Sequence, residues 1–252
     1  TSSSSRSTDF IKTYLEVLSD ANEPTAEIAN AYFKNNKEQL MTEEGSDILM
    51  QYLSDPASIG FDVLKENRSK FEELAGKEKV HDKLYSLYTQ MYRKTASRNE
   101  NGEIEIDVSE YEKVVQQIKE SGFEDADKIY MEAAAFYYQV TDDTKKYAIS
   151  IAALLERYGV DTWQEYNQHA WYFYENVEEK ELLEKAVVWA KKSVATEANY
   201  YNEDTLAALL FKLGKYEQAE EHAKKAIAFA EADGADHSGT DELLEKIKEA
   251  QK

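Results

Sequence analysis

The sequence predicts an all-α protein, a right-handed superhelix of paired antiparallel helices, on three observations. Only 2 prolines and 9 glycines occur in 252 residues, and long helices need few such breakers whereas hairpin-rich folds need many. Apolar residues recur three and four positions apart along most of the chain. Beyond residue 109 the helical segments shorten and follow one another in pairs, the pattern of a stacked solenoid. Composition then excludes classes of function. With 30 Lys plus Arg against 50 Asp plus Glu the formal charge is −20, which repels a phosphate backbone and argues against nucleic acid as a partner. The absence of cysteine removes disulfides, thiolate-bound metals and thiol nucleophiles. Hydrophobic residues at 42%, with 18 Tyr, supply the apolar area that a disordered acidic chain lacks. No run approaches the ~18 apolar residues of a membrane span.

In chain order, residues 1–8 read as a disordered Ser-rich lead. They carry neither an initiator Met nor an apolar secretory core, as in a mature product or a fragment. Residues 9–98 form an N-terminal helical region of five helices. The first carries Phe10, Tyr14, Leu15 and Leu18 and stops at Asn22-Glu23-Pro24. A second carries Ile28, Ala31, Tyr32 and Leu40, and Asp47-Ile48-Leu49 with Tyr52 follows. Ser54-Asp55-Pro56 then caps a helix bearing Ile59, Val63, Leu64 and Phe71, which Gly76 closes, and Val80, Leu84, Leu87, Tyr88 and Met91 mark the last. Residues 99–108 are a loop. Ser109-x-x-Glu112 is a capping box for a helix closed by Gly122. Helices over 126–140 and 147–158 come next, the latter closed by Gly159, and Asp161-x-x-Gln164 opens another through Val177. Further helices span 182–194, 205–213 closed by Gly214, and 216–232 closed by Gly234, and 240–250 is a terminal cap.

Residues with metal or catalytic chemistry give little. Around Gly102, a calcium-loop register would place Ser97, Asn99 and Asn101 as ligands, but Val108 falls where a bidentate Glu is needed, so the segment reads as an Asn-Gly turn without metal. One residue in five is acidic, so no carboxylate pair stands out as an acid–base couple. None of His81, His169, His222 and His237 has a second His at helical spacing, and no nucleophile elbow or phosphate loop occurs. Asn67-Arg68-Ser69 matches a glycosylation sequon inside helical sequence and reads as accidental. The expectation is no enzyme, no cofactor and no metal.

The segment Leu206–Ile227 resembles a tetratricopeptide repeat. Ala207 is the small residue inside the first helix, Gly214 ends it, Tyr216 is the aromatic that follows, and Ala219 and Ala226 lie seven apart on the second helix. Ala at these places permits the close helix contact that larger residues block. Leu183–Ser193 repeats the second-helix pattern, with Ala186 lying 33 residues before Ala219, against a period of about 34. Lys145–Leu155 is a weaker third copy at an offset of 38, and 126–140, with Ala133 to Ala135, is its first helix. Residues 109–252 are therefore read as repeats with a C-terminal capping helix. Tyr174 stands where the middle copy should have a small residue, which predicts a splayed pair.

The first half, through Phe10-Ile11-x-x-Tyr14-Leu15-x-x-Leu18, Asp47-Ile48-Leu49 with Tyr52, Asp55-x-x-Ser58-x-x-Phe61-x-x-Leu64-x-x-Asn67-Arg68 and Phe71, with Gly76 and Val80 after it, is similar to the helical region that follows a thioredoxin fold in a group of bacterial envelope proteins. That resemblance implies a periplasmic or envelope location and a redox domain absent from this chain.

Half of the 30 aromatic residues lie between Tyr130 and Tyr201, including all 3 Trp, and aromatic anchors with polar tips are enriched at interfaces. The run Trp171 to Tyr174 covers most of a helix circumference at 100° per residue, so part of it must face outward or into a groove. Projected onto the repeat, the groove residues are Gln168, Trp171, Tyr172 and Glu175 on one helix and Tyr201, Asp204, Thr205 and Ala208 on the next. Glu175, Glu203 and Asp204 are the charges expected to meet a partner. The reading is a non-enzymatic scaffold binding a basic or apolar peptide in this groove. Its alternatives are the tail of a thioredoxin-like redox protein and, last, a helical carbohydrate-active enzyme, whose mark would be two carboxylates about 5 to 10 Å apart in a deep pocket.

Overall fold

The computed structural model describes residues 8–252. Among them, fourteen α-helices, one 3-10 turn and one two-stranded hairpin account for the regular structure, so the all-α expectation holds. The chain divides into an N-terminal unit through Ala133 and a C-terminal unit from Ala134, the division falling within a helix. The Ser-rich lead expected over 1–8 lies outside the described residues except for Thr8, which opens the first helix.

The N-terminal unit begins with α1 (Thr8–Asp20) and α2 (Ala26–Asn35), a 3-10 turn (Gln39–Met41) and α3 (Glu43–Tyr52). Leu40, expected on the same helix as Tyr32, lies on the 3-10 turn instead, because the backbone leaves the helical region at Asn36, whose amide turns back to the Tyr32 carbonyl. α3 starts against that turn so tightly that a Cβ on Gly45 would fall 1.9 Å from the Gln39 carbonyl oxygen; only glycine fits there. The helix expected across Ile59 to Phe71 is two, α4 (Ile59–Glu66) and α5 (Arg68–Ala75). Asn67 breaks it, its amide donating to the Val63 carbonyl at 2.9 Å and competing with the helical ladder. That Asn is the sequon residue and is half-buried. Ser58, accepting from the Gly60 N–H, caps α4. α6 (Lys77–Arg93) follows, so six α-helices, not five, precede residue 100 among the described residues. Phe33, Leu40, Ile48, Leu49, Leu53, Leu64 and Phe71 are fully buried in this unit.

The expected loop after α6 is a hairpin, β1 (Ala96–Arg98) paired antiparallel with β2 (Ile104–Ile106) in the register Ser97 to Glu105. Three residues per strand are too few to register as alternation in the sequence. The Asn99 side-chain oxygen accepts from the Asn101 and Glu103 N–H groups and shapes the turn. α7 (Val108–Glu120) is capped by Asp107 rather than Ser109, since the Asp107 side chain accepts from Glu110 N–H. α8 (Ala126–Val140) closes the unit and continues past its boundary.

Long charged side chains fasten the N-terminal unit across its helices. Arg68 donates to both oxygens of Glu124 at 2.5 Å and to Glu72 at 2.6 Å, a bidentate geometry that a lysine could not reproduce. His81 Nε2 lies 2.9 Å from Asp125 and Tyr85 donates to Glu132 at 2.5 Å.

The C-terminal unit contains α9 (Thr144–Tyr158), α10 (Trp163–Asn176), α11 (Lys180–Thr196), α12 (Tyr200–Lys212), α13 (Tyr216–Asp233) and α14 (Ser238–Ala250). Here α10 packs on α11, α11 on α12 and α12 on α13; α10 also meets α12, and α14 lies on α13 and α12. Thr162 and Glu165, not Asp161 and Gln164, make the capping box of α10. α12 starts five residues before the expected Thr205, because Asn199 and Asn202 form a second box.

Small residues set the spacing in this unit. Ala170 on α10 and Ala186 and Ala190 on α11 are fully buried in one apolar cluster, as are Ala207 on α12 and Ala219 and Ala223 on α13. Against the splay expected from Tyr174, Ala170, one turn earlier, is fully buried, and Tyr174 lines a hollow with Phe211 and Lys212 of α12, where Lys212 donates to the Tyr174 backbone carbonyl at 2.8 Å. A buried neutral chain joins three helices near their ends. Ser193 Oγ donates to the Trp163 carbonyl at 2.8 Å, and the Asn202 amide donates to Ser193 Oγ at 3.1 Å and to the Glu197 carbonyl at 2.7 Å. Among the described residues no helix is long and apolar enough to cross a membrane.

Candidate interaction face on α10 and α12

On α10, positions 168, 171 and 175 share a side by the 3-and-4 rule. Gln168 and Glu175 are exposed and Trp171 is 37% exposed. The Trp171 ring rests on Tyr174, centroid to centroid 5.0 Å at 41°, which fixes its orientation while leaving one part of the indole to solvent. Tyr172 points the other way: it is half-buried edge-on against Tyr147 of α9 at 4.9 Å, and burial pushes its hydroxyl pKa up.

On α12 the groove residues separate. Tyr201 is 65% exposed. Asp204 turns toward α14, where the Thr240 hydroxyl donates to it at 2.6 Å with Tyr200 OH 3.3 Å from the same hydroxyl; burial raises its carboxyl pKa. Thr205 and Ala208 are buried and lie outside the exposed face, and the Thr205 hydroxyl is spent on the Tyr201 carbonyl at 2.9 Å. Glu203, expected to meet a partner, is 3% exposed and paired with His222 Nδ1 on α13. Packing of α14 against α12, through a Thr240 that is itself buried, gives Asp204 this inward partner. The structure thus keeps Gln168, Trp171, Glu175 and Tyr201 open and turns Tyr172, Asp204, Thr205 and Ala208 inward.

Tyr174, Glu175, Phe211 and Lys212 line a shallow open hollow between α10 and α12. Lys212 crosses it, donating to Glu178 at 2.8 Å as well as to the Tyr174 carbonyl, and so satisfies an orphan carbonyl of the last turn of α10. Glu175 is exposed, and α10 contains no Lys or Arg. Sequence reasoning missed Tyr174, Phe211 and Lys212, although continuing the stripe Tyr201, Thr205, Ala208 by four reaches Lys212.

Among the described residues no three His, Cys, Asp or Glu side chains gather as a metal site. His169 is held below its usual pKa by burial. For His81 burial would lower the pKa, but Asp82 and Asp125 outweigh it and raise it. Compared with known proteins, the chain matches no family model, no curated protein and no solved structure.

Proposed function

We propose that this chain is a non-enzymatic interaction scaffold, a superhelix of paired helices with tetratricopeptide-like repeats in its C-terminal half, whose α10–α12 face binds an extended protein segment. One observation carries this reading. Trp171 and Tyr201 stay exposed on two helices that pack together, whereas Trp189 and Phe173, from the same aromatic-rich stretch, are buried. Rigid aromatic side chains that remain accessible cost little conformational entropy when a partner covers them, and they dominate binding energy at interfaces. Close packing at Ala207 and Ala219, with Gly214 between the two helices at φ +71, supports the repeat resemblance, and the acidic surface supports a basic or apolar occupant.

The test is selection from a random linear peptide display library against the chain and against the Trp171→Ala plus Tyr201→Ala variant. Selected peptides are expected to bind the parent and to lose about 30-fold affinity on the double variant, the effect of removing a hot spot of ~2 kcal/mol. No enrichment, or equal binding to both proteins, would overturn the reading.

A further inference from the structure

We infer that the hollow between α10 and α12 is a subsite for one cationic side chain of the bound segment, a guanidinium in preference to an ammonium; this rests on the binding face proposed above. Two carboxylates, Glu175 and Glu178, lie beside one resident cation, Lys212. Lys212 is committed, since its ammonium sits 2.8 Å from both Glu178 Oε1 and the Tyr174 carbonyl and its side chain is 18% exposed. Glu175, which also lines the hollow, is exposed and is left to balance a charge from outside. The walls are aromatic: Phe211 and Tyr174 line the hollow, and Trp171 leans on Tyr174 at 41°. An arginine side chain suits this combination better than lysine. Its planar, weakly hydrated guanidinium stacks on an aromatic face while its fork pairs with a carboxylate, and an ammonium does neither as well.

Fluorescence polarisation with labelled Gly/Ser peptides carrying a central Leu-Arg-Leu, Leu-Lys-Leu or Leu-citrulline-Leu tests the assignment. Citrulline keeps the planar shape and removes the charge. The Arg peptide is expected to bind about tenfold tighter than the citrulline peptide, with Lys between them, and Glu175→Gln should erase that difference while leaving citrulline binding unchanged. Glu184→Gln, the same charge change at an exposed site on α11, should leave the preference intact, which separates a local subsite from attraction by the overall acidic surface. Equal affinity for Arg and citrulline peptides, or equal effects of Glu175→Gln and Glu184→Gln, would overturn the subsite. If all three peptides bind alike and Trp171→Ala plus Tyr201→Ala removes them together, the binding face stands and only its charge preference falls. Failure of the parent to bind any of them overturns both.

Discussion

The two units are held together by different means. In the N-terminal unit α2 to α5 are short, 8 to 10 residues, with breaks at Asn36 and Asn67, and charged pairs at the surface join separate segments: Arg68 to Glu124, and His81 to Asp125. In the C-terminal unit helices of 13 to 18 residues lie together at buried alanines; the polar joint of α10, α11 and α12, Trp163 carbonyl to Ser193 to Asn202, is uncharged, and Glu203 pairs with His222 between α12 and α13. Ionic fastenings at a partly exposed surface contribute modestly and respond to pH and salt, whereas close packing responds to volume. The joint of α10, α11 and α12 beneath the candidate face thus rests on close packing and neutral hydrogen bonds, as suits a preorganised surface.

This contrast breaks most visibly at the tight contacts. Ala219→Leu, at a position with no exposed surface, is expected to cost about 3 kcal/mol by overpacking. Gly45→Val should cost as much in the N-terminal unit, where the added Cβ meets backbone rather than a movable side chain. Thermal or urea unfolding measures both, and a cost below about 1 kcal/mol for Ala219→Leu would mean that α12 and α13 do not depend on close approach. Next, Asn202→Leu should cost about 2 to 3 kcal/mol, because Ser193 and the Glu197 carbonyl lose a buried partner. That loss should be the same from pH 5 to 8.

Two smaller, pH-dependent effects are expected in the N-terminal unit. Arg68→Met is expected to cost about 1 kcal/mol, limited by solvent screening of a pair whose side chains are 30% and 47% exposed. The guanidinium holds the Glu124 carboxyl down from 4.5 to about 2. The stabilisation is therefore complete above pH 4.5 and fades as pH falls toward 2, and the difference between Arg68→Met and the parent should vanish over that interval. His81 has the opposite sign. Its folded pKa is raised above 6.5, so its contribution is complete below 6.5 and is lost as pH rises through the folded value. Urea midpoints of His81→Gln and the parent should differ most near pH 5 and converge in alkaline buffer. The smallest stability effect is expected for Trp171→Ala plus Tyr201→Ala, less than about 1 kcal/mol in the same assay, because both side chains are partly in solvent.

Glycine stops were legible in the sequence, whereas the starts of α7, α10 and α12 were placed one to five residues off. Gly214 and Gly234, placed at helix ends, have positive φ of 71 and 67, a conformation that glycine alone adopts without cost, and 126–140 is helical over the expected span. Less legible were interruptions caused by side chains, such as Asn67 folding back on Val63, since an Asn within an apolar 3-and-4 pattern reads equally as an exposed helical residue. The face on α10 was half legible. Periodicity placed Trp171 and Glu175 together, but it could not say that Tyr172 leans on Tyr147 of α9 or that α14 reaches back through Thr240 to Asp204. Those contacts join residues 25 and 36 positions apart and depend on how helices pack, which local spacing does not encode.

Indole N–H resonances offer the most direct measurement of the central claim, that an extended segment is bound on the α10–α12 face. The chain has 3 Trp, of which Trp171 is 37% exposed on the face and Trp189 is 3% exposed in the core, and Trp171→Ala assigns the first. Titration with a display-selected peptide is predicted to move the Trp171 signal and leave the Trp189 signal in place. A bound peptide that leaves Trp171 unmoved would contradict it.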